Sequence, residues 1–72
     1  MGKIMLELDV VMAKRHMSLN DLADRVGITN VNMSKIKNNK VNAIRFTTLA
    51  GICEALECEP GDILKYENDK NL

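Results

Sequence analysis

The side chains of this 72-residue sequence that could do chemistry fall into three groups. His16, the single histidine, stands beside Arg15 with no Ser, Cys or second acid at an offset that would build a nucleophile and its base. Cys53 and Cys58 make one C-x4-C pair, without the second Cys or His pair that a structural zinc needs, and two cysteines are too few for a secreted disulfide scaffold. They read as small apolar residues on different parts of one helix. No Gly-rich phosphate loop occurs. No catalytic residue, metal, cofactor or small-molecule ligand is therefore expected. The third group is larger: Thr29, Asn30, Val31, Asn32, Ser34, Lys35, Lys37, Asn38, Lys40 and Arg45 bring amides, hydroxyls and cations into one stretch. Such groups donate hydrogen bonds and attract anions; they bind rather than react.

The charge balance sharpens this point. Ten basic and ten acidic residues cancel over the whole chain, yet the segment 29–45 holds Lys35, Lys37, Lys40 and Arg45 and no acid. The other 55 residues carry six basic and ten acidic groups, so a local charge of +4 sits against −4 elsewhere. A hydrophobic share of 46% and a charged share of 28% describe an ordinary globular chain. Its length allows one small domain spanning 1–72. Apolar runs of only a few residues fall far short of the roughly 20 needed to span a bilayer, and the start lacks a signal-peptide pattern. A soluble cytoplasmic protein is expected.

The elements that must position the basic stretch follow from periodicity. Ile4, Leu6 and Leu8 alternate with Lys3, Met5 and Glu7, which predicts a short strand over 3–8. Leu8, Val11 and Met12 then step at helical spacing, and Lys14 and Arg15 favour a helix end near His16. Ser18 offers an N-cap hydroxyl, with Asp21 three residues on as a capping-box partner, for a helix whose apolar face is Leu19, Leu22, Ala23 and Val26. Gly27 is placed to end it in the left-handed conformation, and Thr29 caps the next helix only two positions later. That third helix, Asn30 to about Asn38, has just Met33 and Ile36 to bury, so its outer face is polar and uncommitted. Asn38 to Asn42 reads as a loop. Phe46, Leu49, Ile52, Cys53 and Leu56 trace the stripe of a fourth helix. Pro60 opens a short fifth one that carries Ile63 and Leu64 into the core. Lys65 to Glu67 makes a second strand, paired with the first within the chain or across two subunits, and 68–72 frays.

Residues 19–38 satisfy each geometric demand of a helix-turn-helix. Ala23 is small where the second helix crosses it, Gly27 permits a positive φ, and Leu22, Val26, Ile28, Met33 and Ile36 lock the helices together. At this point the sequence resembles the Cro/CI-type (lambda-repressor-like) helix-turn-helix family of transcriptional regulators, in particular its small single-domain members. The likeness rests on Met17 to Ala23 (Met-Ser-Leu-Asn-Asp-Leu-Ala), Ala43 to Leu49 (Ala-Ile-Arg-Phe-Thr-Thr-Leu) and Cys58 to Leu64 (Cys-Glu-Pro-Gly-Asp-Ile-Leu). The resemblance implies a mainly α bundle of five helices, here with a short terminal β-pair, that binds double-stranded DNA as a homodimer on a pseudo-palindromic operator. Two positions depart from the family pattern: Leu19 stands where many relatives have Gln touching a phosphate, and Lys37 where many have Glu.

On that implication Thr29, Asn30, Val31, Asn32, Ser34 and Lys35 face the major groove, since the N-terminal part of a recognition helix reaches base edges. Asn can pair with adenine, Lys with guanine and Val with a thymine methyl. Lys37, Asn38, Lys40 and Arg45 are expected on phosphates, setting register without reading sequence. Zero net charge and the apolar Leu19 support a rival from another class, a protein-interaction module that has lost DNA binding.

Overall fold

The short apolar periods dictate short elements. The computed structural model describes residues 2–68 and places them as β1 (Lys3–Leu6), α1 (Leu8–Arg15), α2 (Leu19–Val26), α3 (Asn30–Lys37), α4 (Phe46–Leu56), α5 (Pro60–Ile63) and β2 (Leu64–Glu67). Each helix commits its apolar face to one core, whose fully buried large side chains are Leu8, Leu22, Met33, Ile52, Leu56 and Ile63. Every helix thus supplies at least one. Ala23 is buried where α2 meets its neighbours, and Gly51 of α4 lets Val26 approach to 3.4 Å of where a Cβ would stand.

Helices this short depend on how they begin and end. Ser18 Oγ accepts from Asp21 N–H at 3.1 Å, Thr29 Oγ1 accepts from Asn32 N–H at 3.1 Å, and Asp62 Oδ2 accepts from Glu59 N–H at 2.9 Å. These bonds satisfy orphan donors of α2, α3 and α5. The other ends of α1 to α4 share one device. A residue with positive φ, in turn His16, Gly27, Asn39 and Glu57, reverses the chain. The next N–H then bonds back five residues: Met17 to Met12 O at 3.0 Å, Ile28 to Ala23 O at 3.1 Å, Lys40 to Lys35 O at 2.8 Å and Cys58 to Cys53 O at 3.0 Å. This is the Schellman closure, in which the two bonded residues commonly touch through apolar side chains. Met17, Ile28 and Cys58 obey that rule, half-buried against the core. At α4, Arg15 reinforces the turn: its Nε donates to Leu56 O at 2.8 Å and its Nη2 to Glu57 O at 3.0 Å.

β1 and β2 pair antiparallel within the chain, Lys3 opposite Glu67 and Leu6 opposite Leu64. Asn39, in the loop after α3, joins the end of this sheet to the helical body. Its Oδ1 accepts from Leu6 N–H at 2.6 Å, and its Nδ2 donates to Leu6 O at 2.9 Å.

Several boundaries differ from expectation. The first strand stops at Leu6, because Glu7 N–H turns to Ile63 O at 2.7 Å and Leu8 already belongs to α1. Leu64 opens β2 and is half-buried instead of entering the core with α5. Cys58 lies beyond α4, and the closure at Glu57 brings its thiol to that of Cys53; the two are not apart on one helix. Phe46 does not continue the α4 stripe into the core: it is the first helical residue and is 87% exposed. The expected fraying concerned 68–72, of which 69–72 lie outside the described residues.

Two stability outcomes follow. Gly27 has φ 85° and open space where a Cβ would stand, so any cost of a side chain there is conformational rather than steric. Gly27→Val should lose about 1–3 kcal/mol, lowering the melting temperature by roughly 4–8 °C per kcal/mol. Gly27→Asn, which tolerates positive φ, should recover most of that loss; equal melting of all three proteins would place the turn elsewhere. Phe46→Ala, by contrast, should change stability by less than about 0.5 kcal/mol in urea unfolding, since the ring contributes no core packing.

Candidate nucleic-acid interface

α3 buries Met33 and Ile36 and turns its opposite side outward. At 100° per residue, Val31, Ser34, Lys35 and Asn38 form the outward stripe, with Asn30 on one flank and Asn32 on the other. Val31, near the centre, is 65% exposed. The stripe, together with Asn30, Leu19 of α2 and Lys40 of the following loop, lines one shallow depression. Asn32 opens into a second, shared with Lys35, Arg45 and Thr48. Lys35 borders both. On the far side Asn30 and Thr29 meet Asn20, Asp21 and Asp24, an acidic margin that bounds the basic surface.

Most of the residues expected to bind are therefore on one exposed side of the molecule. Thr29, Asn30, Val31, Asn32, Lys35, Asn38, Lys40 and Arg45 are exposed, and Ser34 is half-buried. Three of them are also engaged locally: Thr29 Oγ1 caps α3, and Asn38 Nδ2 donates to Ser34 Oγ at 3.2 Å. Lys37 is the exception. It stands in line with Asn30, one turn after Met33, half-buried, and borders neither depression.

The closure of α3 has an electrostatic result that the other three lack. Where they join Met12 to Met17, Ala23 to Ile28 and Cys53 to Cys58, this one joins Lys35 to Lys40. The residues joined by this turn, apolar in the other three closures, are here two lysines that border one depression, so an anion seated there would be attracted by both.

Besides the expected residues, the first turn of α4 and Leu19 also border this surface. Arg45 occupies the N-cap of α4 without a side-chain cap bond, and the first turn of α4 carries no acid. The amides of that 11-residue helix thus point their positive end at the groove containing Arg45 and Thr48. The absence of Ser, Thr, Asp or Asn at position 45 was the available signal. Leu19, read only as a helix-face residue and a departure from the family, reaches the outer depression beside Val31.

Elsewhere, burial pushes the Cys58 thiol above its ordinary range, with Cys53 and Asp62 acting in the same direction. Cys58 is then a neutral, weakly nucleophilic thiol at neutral pH. Among the described residues no three His, Cys, Asp or Glu groups are arranged to hold a metal ion.

The described helices include none long and apolar enough to cross a membrane. Comparison with known proteins agrees with the geometry of α2 and α3. Residues 7–69 match the model of the Cro/C1-type HTH DNA-binding domain. The chain is 54% identical over 68 residues to the uncharacterized HTH-type transcriptional regulator YozG of Bacillus subtilis (strain 168), covering 94% of this chain and 81% of that protein. Its fold superimposes on a candidate DNA-binding protein from Bacteroides fragilis with a TM-score of 0.80 at 21% identity, covering 88% of this chain and all of that one. It superimposes on SinR, the master regulator for biofilm formation, crystallised in complex with DNA, with a TM-score of 0.70 at 18% identity, covering 76% of this chain and 87% of that one. With the two helices, their Gly27 turn and the exposed polar face of α3 in place, the chain belongs to the family of Cro/C1-type helix-turn-helix DNA-binding domains.

Proposed function

We propose that the protein is a cytoplasmic, sequence-specific regulator of transcription that lays α3 in the major groove of double-stranded DNA and acts as a homodimer on a pseudo-palindromic operator. The observation that carries this reading is the Lys35–Lys40 closure beside an exposed Val31, inside a segment, 29–45, that contains no acid. Four cations without an acid, beside an exposed apolar residue, suit a phosphate backbone read at its base edges, because each neutralised phosphate releases condensed counterions.

The parts then divide by reach. Asn30, Val31, Asn32, Ser34 and Lys35, on the first turns of α3, together with the Thr29 cap, address base edges. Val31 and Leu19 form an apolar spot suited to thymine methyls. Lys40, Asn38, Arg45 and the first-turn amides of α4 flank them and meet phosphates. Lys37, half-buried, contributes through the local field more than through direct contact. The acids at Asp21 and Asp24 repel a phosphate strand on the other margin and so limit the angle at which a duplex can seat.

The test is a fluorescence titration of the full chain against DNA fragments at two salt concentrations. Lys40→Ala should weaken binding about equally on every sequence and reduce the salt slope by about one unit. Asn30→Ala should fold normally, lose about 1–3 kcal/mol per half-site and relax preference at one symmetric base position, with binding to random DNA nearly unchanged. Sites selected from randomised DNA with both proteins decide the second point: identical consensus sequences would move base reading to Val31, Asn32 or Lys35. Absence of salt-dependent binding to any duplex would leave the protein-interaction module as the reading.

A further inference from the structure

Cys53 and Cys58 are the two thiols of the chain, and both are free. Left-handed Glu57 stands before Cys58, and the closure that ends α4 runs from Cys58 N–H to Cys53 O at 3.0 Å. Bond lengths on either side of that hydrogen bond cap the separation of the two Cα atoms at about 7 Å, and the bend at the carbonyl oxygen brings it below the cap. A disulfide spans Cα atoms up to about 6.8 Å apart. The side chains are also aimed correctly, since residues joined by a Schellman bond meet on one side of the turn, and the Cys58 thiol is in hydrogen-bond contact with that of Cys53. Neither residue is sealed in the core. Both are half-buried, and Cys58 borders a recess of about 230 Å³ between α1, α5 and β2. Around that recess Lys14, Arg15 and Lys65 outnumber Glu7 and Asp62, which favours the entry of an anionic reagent.

We propose that Cys53 and Cys58 form a reversible dithiol–disulfide site, oxidised by a low-molecular-weight disulfide that enters beside Cys58, and that the disulfide locks the end of α4. In the first step one protein thiol loses its proton, its sulfur attacks the incoming S–S bond, and one half of the reagent leaves as a thiol. In the second step the other protein thiol loses its proton and attacks the sulfur just bonded to its neighbour. The Cys53–Cys58 bond forms, and the second half of the reagent leaves as a thiol. Two protein thiols are thereby oxidised to one disulfide while the reagent disulfide is reduced to two thiols. Contact between the protein sulfurs makes the second step intramolecular, so the mixed disulfide does not accumulate. In a reducing compartment the dithiol is the resting form, and the disulfide forms when the thiol pool becomes oxidised. The bond ties the last turn of α4 to the segment that enters α5. Arg15 already holds Leu56 and Glu57 between the two cysteines. The covalent link therefore fixes a turn that folding has already set, and it acts by restricting the unfolded chain. The recess shares no residue with the two depressions along α3, so the proposal stands apart from the DNA-binding reading and does not depend on it.

The experiment exposes the full chain to oxidised glutathione at mildly alkaline pH, where thiolate is available, and follows intact mass, free thiols and thermal melting with and without reductant. Wild type should become lighter by two hydrogens, carry no glutathione, form no link between chains and lose both free thiols. Reductant should restore them. The oxidised form should melt roughly 5 °C above the reduced one. Cys53→Ser and Cys58→Ser each lack one partner and should show no such rise; Cys53→Ala and Cys58→Ala serve if a serine unfolds the turn. Retention of both thiols by wild type, or accumulation of its glutathione adduct, overturns the proposal and leaves the pair as an apolar contact like that of Met12 with Met17. Disulfides formed only between chains overturn it as well, because the reacting sulfurs then belong to separate molecules. An oxidised chain that melts no higher than the reduced one, or single variants that gain the same rise as wild type, overturns the lock.

Discussion

A chain of 72 residues that forms five helices must end each of them abruptly, and the structure depends on how it does so. Reversal through a single residue of positive φ, followed by a bond back five residues, takes the last carbonyls of α1 to α4 out of solvent within two positions. The direction of each following segment is set at the same time. Only Gly27 adopts this conformation without a Cβ; His16, Asn39 and Glu57 bear side chains there. What holds the strained residues is the tertiary structure around them: Met17, Ile28 and Cys58 pack on the core, and Arg15 clamps Leu56 and Glu57. Remove that packing and the turns have no local reason to persist.

The proposed function uses the same device with different residues. α3 ends as its neighbours do, but Lys35 and Lys40 take the places that apolar residues occupy elsewhere. A chain of zero net charge thereby concentrates positive charge at one helix end and leaves its acids on the far margins, Asp21 and Asp24 among them. The unguarded first turn of α4 adds oriented dipoles at the same place. Attraction for an anionic partner comes from arrangement, which net charge conceals.

How much of this was legible in the sequence depended on the range of the interaction involved. Ser18, Thr29 and Gly27 act on neighbours within three or four residues, and their roles and the helix-turn-helix were readable from residue type and spacing. Phe46 was misread because periodicity does not say where a helix starts: at the first position its side chain lies outside the layer that Leu49 and Ile52 fill. Lys37 was expected on a phosphate, and helical rotation sets it beside Met33, half-buried and outside both depressions. Asn39 holding Leu6 and Arg15 holding Leu56 join residues 33 and 41 positions apart, and no local pattern announces either. The pairing of Cys53 with Cys58 was hidden for a related reason, since it needs the left-handed Glu57, which sequence gives no cause to expect.

The intrachain sheet has a topological consequence. Lys3 and Glu67 face each other across β1 and β2 although 64 positions separate them, so the two ends of the fold leave from one place. Closing so long a loop costs entropy, about (3/2)RT ln n, which a pair of four-residue strands cannot offset alone. The helical core must bring the termini together. A peptide linker from Glu67 to Lys3 would therefore turn the chain into a ring without altering the path of a single helix. New ends could then be opened in a surface turn, giving a circular permutant in which the order of the helices changes and their packing does not.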